Sequence, residues 1–146
     1  MEQRSLRLLN ELNQRIIQWR GMYSQWAGEH GVSYHELLVL YTIREKGYCT
    51  QTQICRSYLL PRQTIHNVIS GMRRRGLLAL SGQHAAGREK AFVLTGEGAA
   101  YAAPLLQAMD EFETQALQRV GAEKLEGLNA LLQEYSEALR LAMNGR

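Results

Sequence analysis

No run of apolar residues in this 146-residue chain approaches the roughly 18 that a bilayer span requires, so no membrane-spanning segment is expected. The opening Met1-Glu2-Gln3-Arg4-Ser5-Leu6 has no apolar stretch leading to a small-residue cleavage site, so the expectation is a protein without a signal peptide, located in the cytoplasm. Cysteine is scarce. Cys49 and Cys55 make neither a disulfide framework nor a zinc-ribbon spacing, and in a cytoplasmic setting both are expected to be reduced. Catalytic signatures are missing too: there is no Gly-rich phosphate loop, no G-x-S-x-G, no H-E-x-x-H and no Cys/His pairing, and the four histidines are scattered. His30, His35, Glu36 and Cys49 do not fall on a metal-ligand spacing. Neither enzyme activity nor a cofactor nor a metal is expected.

Acids are absent from one place in particular, the stretch Pro61–Gly76, PRQTIHNVISGMRRRG. At a helical period Ile65, Val68, Ile69 and Met72 form one apolar stripe. The other face carries Arg62, Gln63, His66, Asn67, Ser70, Arg73 and Arg74. Pro61 suits the first helical position and Gly76 the position just past the end. Such a helix fits the DNA major groove, where Arg, Gln and Asn make bidentate hydrogen bonds to guanine and adenine edges. The charge distribution agrees. Residues 44–91 hold nine bases against two acids, whereas residues 1–43 are balanced and residues 92–146 carry an excess of four acids. A net charge of only +3 therefore conceals a basic central third, the footprint of a polyanion-binding module.

The rest of the chain arranges itself around this helix. Residues 5–28 read as one long amphipathic helix with an unusually broad apolar surface (Leu6, Leu8, Leu9, Leu12, Ile16, Ile17, Trp19, Trp26), ended by Gly28 and Gly31. Ser33–Glu36 has capping-box form, with Val32 and Leu37 as a hydrophobic staple, and the helix it opens stops at Gly47. Thr50–Gln53 is a second capping box, for a short helix to Tyr58. Two short helices joined tightly, the second basic, make a helix-turn-helix. Residues 77–81 and 91–95 read as paired strands whose connection is too long for a two-residue turn. Residues 96–143 are helical, interrupted at Gly121 and kinked or restarted at Pro104. The fold class is thus mainly α with a small β-hairpin wing.

The segments Leu60-Pro61-Arg62-Gln63-Thr64-Ile65, Met72-Arg73-Arg74-Arg75-Gly76-Leu77-Leu78 and Arg88 followed by Leu94-Thr95-Gly96-Glu97-Gly98 resemble the MarR family of winged helix-turn-helix transcriptional regulators. His30-Gly31-Val32-Ser33 with Glu36 and Leu40 adds to the likeness, which covers nearly the whole chain, 1–146. It implies a winged helix over 33–95 and dimerisation helices over 1–30 and 97–146. It further implies a homodimer that binds double-stranded DNA at a pseudo-palindrome with half-sites about 10 base pairs apart and acts there as a repressor. The DNA-contacting residues are then Pro61, Arg62, Gln63, Thr64, His66, Asn67, Ser70, Arg73 and Arg74, with Arg88 and Lys90 on the wing. Arg62, Gln63 and Asn67 suit base edges; Thr64, Ser70, Arg73 and Arg74 suit phosphates. Arg75 divides evenly between an acid partner and solvent. One departure is Ala86, where the family usually places an Asp two residues before its wing Arg; a floppier wing is expected from it.

Family members often take a small aromatic or phenolic effector. Arg15, Trp19, Tyr23, Trp26, Tyr34 and His35 are the candidates here, with Arg20 as a second cation, set against the plainer reading that an aromatic stripe at helical spacing is core. Two further readings stand beside the regulator. An oxidant sensor of the same fold would use Cys49, because the helix following it favours a thiolate; Cys55 reads as a small core residue. A helical dimeric adaptor would bind no DNA at all.

Overall fold

In the computed structural model, which describes residues 2–145 and at Ala86 the backbone alone, the elements run α1 (Glu2–Glu29), α2 (Tyr34–Lys46), β1 (Cys49–Thr50), α3 (Gln51–Tyr58), α4 (Arg62–Arg74), β2 (Leu78–Ala86), β3 (Glu89–Leu94), α5 (Gly96–Val120) and α6 (Ala122–Asn144). The chain forms two compact units, Met1–Leu106 and Gln107–Arg146.

Local chemistry explains most of these boundaries. Gly28 lies inside α1 instead of ending it, and Gly31, at φ 71°, makes the turn beyond it. Ser33 caps α2 by accepting the Glu36 N–H at 3.1 Å, and the staple residues Val32 and Leu37 are both buried. The capping box is only half made there, because the Glu36 carboxylate turns away to Arg75. Thr50 and Gln53 make both halves of theirs: the Gln53 N–H donates to Thr50 Oγ1 at 3.1 Å and the Thr50 N–H to Gln53 Oε1 at 2.9 Å. Between α3 and α4, Leu59 takes a left-handed φ of 51° while its side chain is almost fully exposed. A bulky residue is held there only when its surroundings demand it. Its N–H closes α3 onto the Cys55 carbonyl.

Pro61 sits at the N-cap of α4, one residue earlier than the first helical position expected of it. At the other end, the Gly76 N–H donates to the Arg73 carbonyl at 2.9 Å and the Leu77 N–H to the Met72 carbonyl at 3.0 Å. With Gly76 at φ 76° this is a complete Schellman turn, and Leu77 and Met72 are buried beside it.

The wing differs from its expected form. The strands are longer, with Ala86 paired to Glu89, so Gly87-Arg88 is a two-residue turn with Gly87 at φ 58°. The polar stretch 82–86 is strand, although its register is irregular between Ser81 and Ala86. A third strand, β1, pairs Cys49 with Phe92 and Thr50 with Ala91, giving the antiparallel order β1-β3-β2. In two residues it has no period to detect.

The core of the winged helix gathers Val39, Leu40 and Ile43 of α2, Ile54 of α3, Ile65, Ile69 and Met72 of α4, Leu77, Leu78 and Phe92 of the wing, and Ala102 and Leu106 of α5. The exit motif 94–98 locks it. Thr95 Oγ1 donates to the Gly76 carbonyl at 2.6 Å and accepts the Gly98 N–H at 2.9 Å. Gly98 approaches Leu77 so closely that a Cβ would lie 2.0 Å from its carbonyl oxygen. α5 passes through Pro104 without a restart. No helix among the described residues is long and apolar enough to cross a membrane.

Candidate nucleic-acid interface

Burial of Ile65, Ile69 and Met72 fixes which way α4 faces. Turned outward are Arg62, Gln63, His66, Asn67, Arg73 and Arg74, all exposed, with Thr64 and Ser70 half-buried at the edges. Pro61 is exposed at the start of the helix. Val68, the fourth residue of the apolar stripe, is half-buried against the core. The expected front is therefore the observed front.

Several of these side chains are already engaged. Gln63 Nε2 donates to Asn67 Oδ1 at 2.9 Å, one turn apart. His66 Nδ1 accepts from Gln51 Nε2 at 3.0 Å, and Arg62 Nη1 donates to Thr52 Oγ1 at 3.3 Å. Arg73 lies over the Phe92 ring, 5.5 Å from its centroid. The wing completes the surface. A hollow of about 480 Å³ between α3, α4 and the wing is lined by Arg62, His66, Arg73, Arg88 and Lys90, and also by Gln51, Thr52 and Glu89. Gln51 and Thr52 were not among the sequence candidates. They lie between the two members of the second capping box, Thr50 and Gln53, at a helix N-terminus that adjoins the recognition helix and is itself placed to meet phosphates.

The fold that presents this basic helix front beside the hairpin tip is similar to that of known proteins. Residues 30–89 match the model of the MarR family. NMB1585, a MarR family regulator from Neisseria meningitidis, has a similar fold at a TM-score of 0.84 and 28% identity, over 94% of this chain and 96% of that one. The chain is similar to the MarR family in sequence over 30–89 and to a MarR family regulator in fold over nearly its whole length. Two more MarR-like folds are those of Bordetella bronchiseptica BpsR, described with regulation of its DNA binding by 6-hydroxynicotinic acid (TM-score 0.68, 20% identity, 88% of this chain and 98% of that), and NadR in complex with 4-hydroxyphenylacetate (TM-score 0.71, 18% identity, 85% and 91%). At these two identities the likeness is one of fold. Comparison with curated protein sequences gives no significant match.

Within this MarR-like winged helix, Arg75 is occupied. It pairs with Glu36 of α2 and lies 5.2 Å from the centroid of the Tyr101 ring on α5. Tyr101, before Glu36, raises its pKa further. Arg75 thus ties α4 to the elements behind it and does not share the outward front.

The thiol expectation is overturned at Cys49. It is fully buried in β1, and desolvation pushes its pKa up to about 12, the opposite of the lowered value a sensor needs. Proximity to a helix N-terminus counts for less than the loss of solvent. Cys55 is half-buried and packs against the core.

The effector candidates separate into two groups. Arg15, Trp19 and Tyr23 recur every four residues on one face of α1, with Arg15 and Trp19 exposed. Tyr23 and Tyr34 meet with ring centroids 5.9 Å apart, and His35 follows half-buried. Trp26 leaves the group. It is buried and stacks on His30 at 3.7 Å, while His30 Nδ1 donates to the Trp26 carbonyl at 2.8 Å. Trp26 is core, as the plainer reading held.

Proposed function

We propose that this chain is a homodimeric, sequence-specific DNA-binding repressor that reads a pseudo-palindromic site with α4 and inserts Arg88 into the adjoining minor groove. The observation that carries the reading is the acid-free outward face of α4, whose base-reading types, Arg62, Gln63 and Asn67, all stand exposed while the opposite stripe is buried. Narrow A·T-rich minor grooves concentrate negative potential and attract an arginine such as Arg88. The terminal helices support a two-fold assembly: α1 leaves Leu6, Ile17 and Met22 exposed, and α6 leaves Leu131, Leu141 and Met143 exposed.

Substitution distinguishes reading from mere attraction. Arg62→Ala should cost about 1–3 kcal/mol on the preferred duplex and little on random duplex. Arg73→Ala should weaken both alike and flatten the salt dependence. Equal losses on both duplexes for Arg62→Ala would reject its role.

A small aromatic anion is the effector class we favour, bound near Tyr23 and Tyr34 with Arg15 as its counter-charge. The ligands of NadR and BpsR, 4-hydroxyphenylacetate and 6-hydroxynicotinic acid, have that chemistry. Trp19 would report binding through its fluorescence.

A further inference from the structure

The hollow beside α4 contains an anomaly. Among Arg62, His66, Arg73, Arg88 and Lys90 stands one carboxylate, Glu89. A negative charge there repels every phosphate, so on long-range electrostatics alone it weakens binding to any DNA.

Its contacts are specific. Glu89 is the first residue of β3, and its Oε1 accepts the Thr52 N–H at 2.9 Å, 37 positions away in sequence. Thr52 is the second residue of α3, so this N–H is one of those a helix start leaves unsatisfied, and a carboxylate is favoured there. The Thr52 hydroxyl oxygen in turn accepts Arg62 Nη1 at 3.3 Å. Three elements are joined in this way: β3, α3 and α4. The Thr52 side-chain hydrogen bond, then its backbone hydrogen bond, hold the Glu89 carboxyl below its ordinary pKa, with a smaller contribution from the Arg62 charge. Only one of the five N–H donors of Arg62 is engaged in the relay, which leaves the others for a base edge.

We infer that Glu89 is a positioning residue for base reading, acting through Thr52 to hold the Arg62 guanidinium at the front of α4. This rests on the proposed DNA reading. The carboxylate thus gives up some general attraction for a fixed orientation of one base-reading side chain.

The test uses the full chain, a duplex selected from a random pool, and a scrambled duplex at the same salt. Glu89→Ala should lose about tenfold on the selected duplex, with scrambled binding unchanged or tighter. Glu89→Gln removes the same charge but keeps an acceptor, and should stay near wild type on the selected duplex. In an Arg62→Ala background, Glu89→Ala should change discrimination no further. Thr52→Val keeps the backbone donor while removing the relay hydroxyl, and should reproduce the loss even if Glu89→Ala folds poorly. The inference is overturned if both Glu89 variants tighten both duplexes alike, if the Glu89 and Arg62 losses simply add, or if Thr52→Val leaves discrimination intact. A wild-type chain with no preference for its selected duplex would instead remove the DNA reading, and the role of Glu89 with it.

Discussion

Single residues carry constraints that a sequence pattern shows only as identities. Gly98 lies in the segment Leu94–Gly98 that resembles the family, and in three dimensions its reason is steric: there is no room for a Cβ against the Leu77 carbonyl. Backbone on both sides cannot yield cheaply. Gly98→Ala should therefore destabilise the chain by roughly 3 kcal/mol, at the upper end of overpacking costs. A chemical denaturation midpoint that stays at the wild-type value would refute this. Cys49 shows the converse. Its neighbourhood in sequence, just before a helix, argued for a reactive thiolate, but the strand it forms with Phe92 seals it from water. Desolvation is set by residues distant in the chain, and no local reading contains them.

Elements were legible in proportion to their length and punctuation. The three helices of the helix-turn-helix region and their Ser33, Thr50 and Gly76 signals are where the sequence places them, because capping is local chemistry between residues three or four apart. The complete box at Thr50 also sets the angle at which α3 presents Thr52 to the wing. Thr50→Ala should cost about 1 kcal/mol of unfolding free energy, and the Thr52 amide should exchange with solvent faster. An unchanged melting profile with unchanged exchange would show the box to be dispensable. The wing was read less well. Its strands run on through polar residues to a Gly87-Arg88 turn, where composition suggested a loop. Paired backbone can carry polar side chains on an exposed hairpin, so hydropathy does not mark where such a strand ends. The contact of Glu89 is not legible in the sequence for a related reason: its partner Thr52 is supplied by another element, 37 positions away.

At the scale of the whole molecule, the apolar surface left on the terminal helices is the outstanding fact. Ile17 is 69% exposed, Leu131 64% and Leu141 65%. Side chains of this size are each worth about 1.5–3 kcal/mol when fully buried, so a second copy of the chain would stabilise them strongly. On the proposed dimeric, DNA-binding reading, replacing Leu131 and Leu141 together by Glu should shift the mass measured by sedimentation from dimer toward monomer and weaken binding to the selected duplex with it. A monomeric wild type at micromolar concentration would rule out the dimer.

The chain's order of residues was enough to specify the orientation of α4, because a stripe of Ile65, Ile69 and Met72 opposite an acid-free face permits only one side to enter the core. It was enough, too, for the family likeness and for the helix starts, all of which depend on short-range spacing. Tertiary structure alone decided that Arg75 pairs with Glu36, that Trp26 is core, that Cys49 is buried away from water, and that Glu89 and Arg62 are linked through Thr52. Each of those outcomes depends on which distant group arrives at a side chain, and on how much water it displaces.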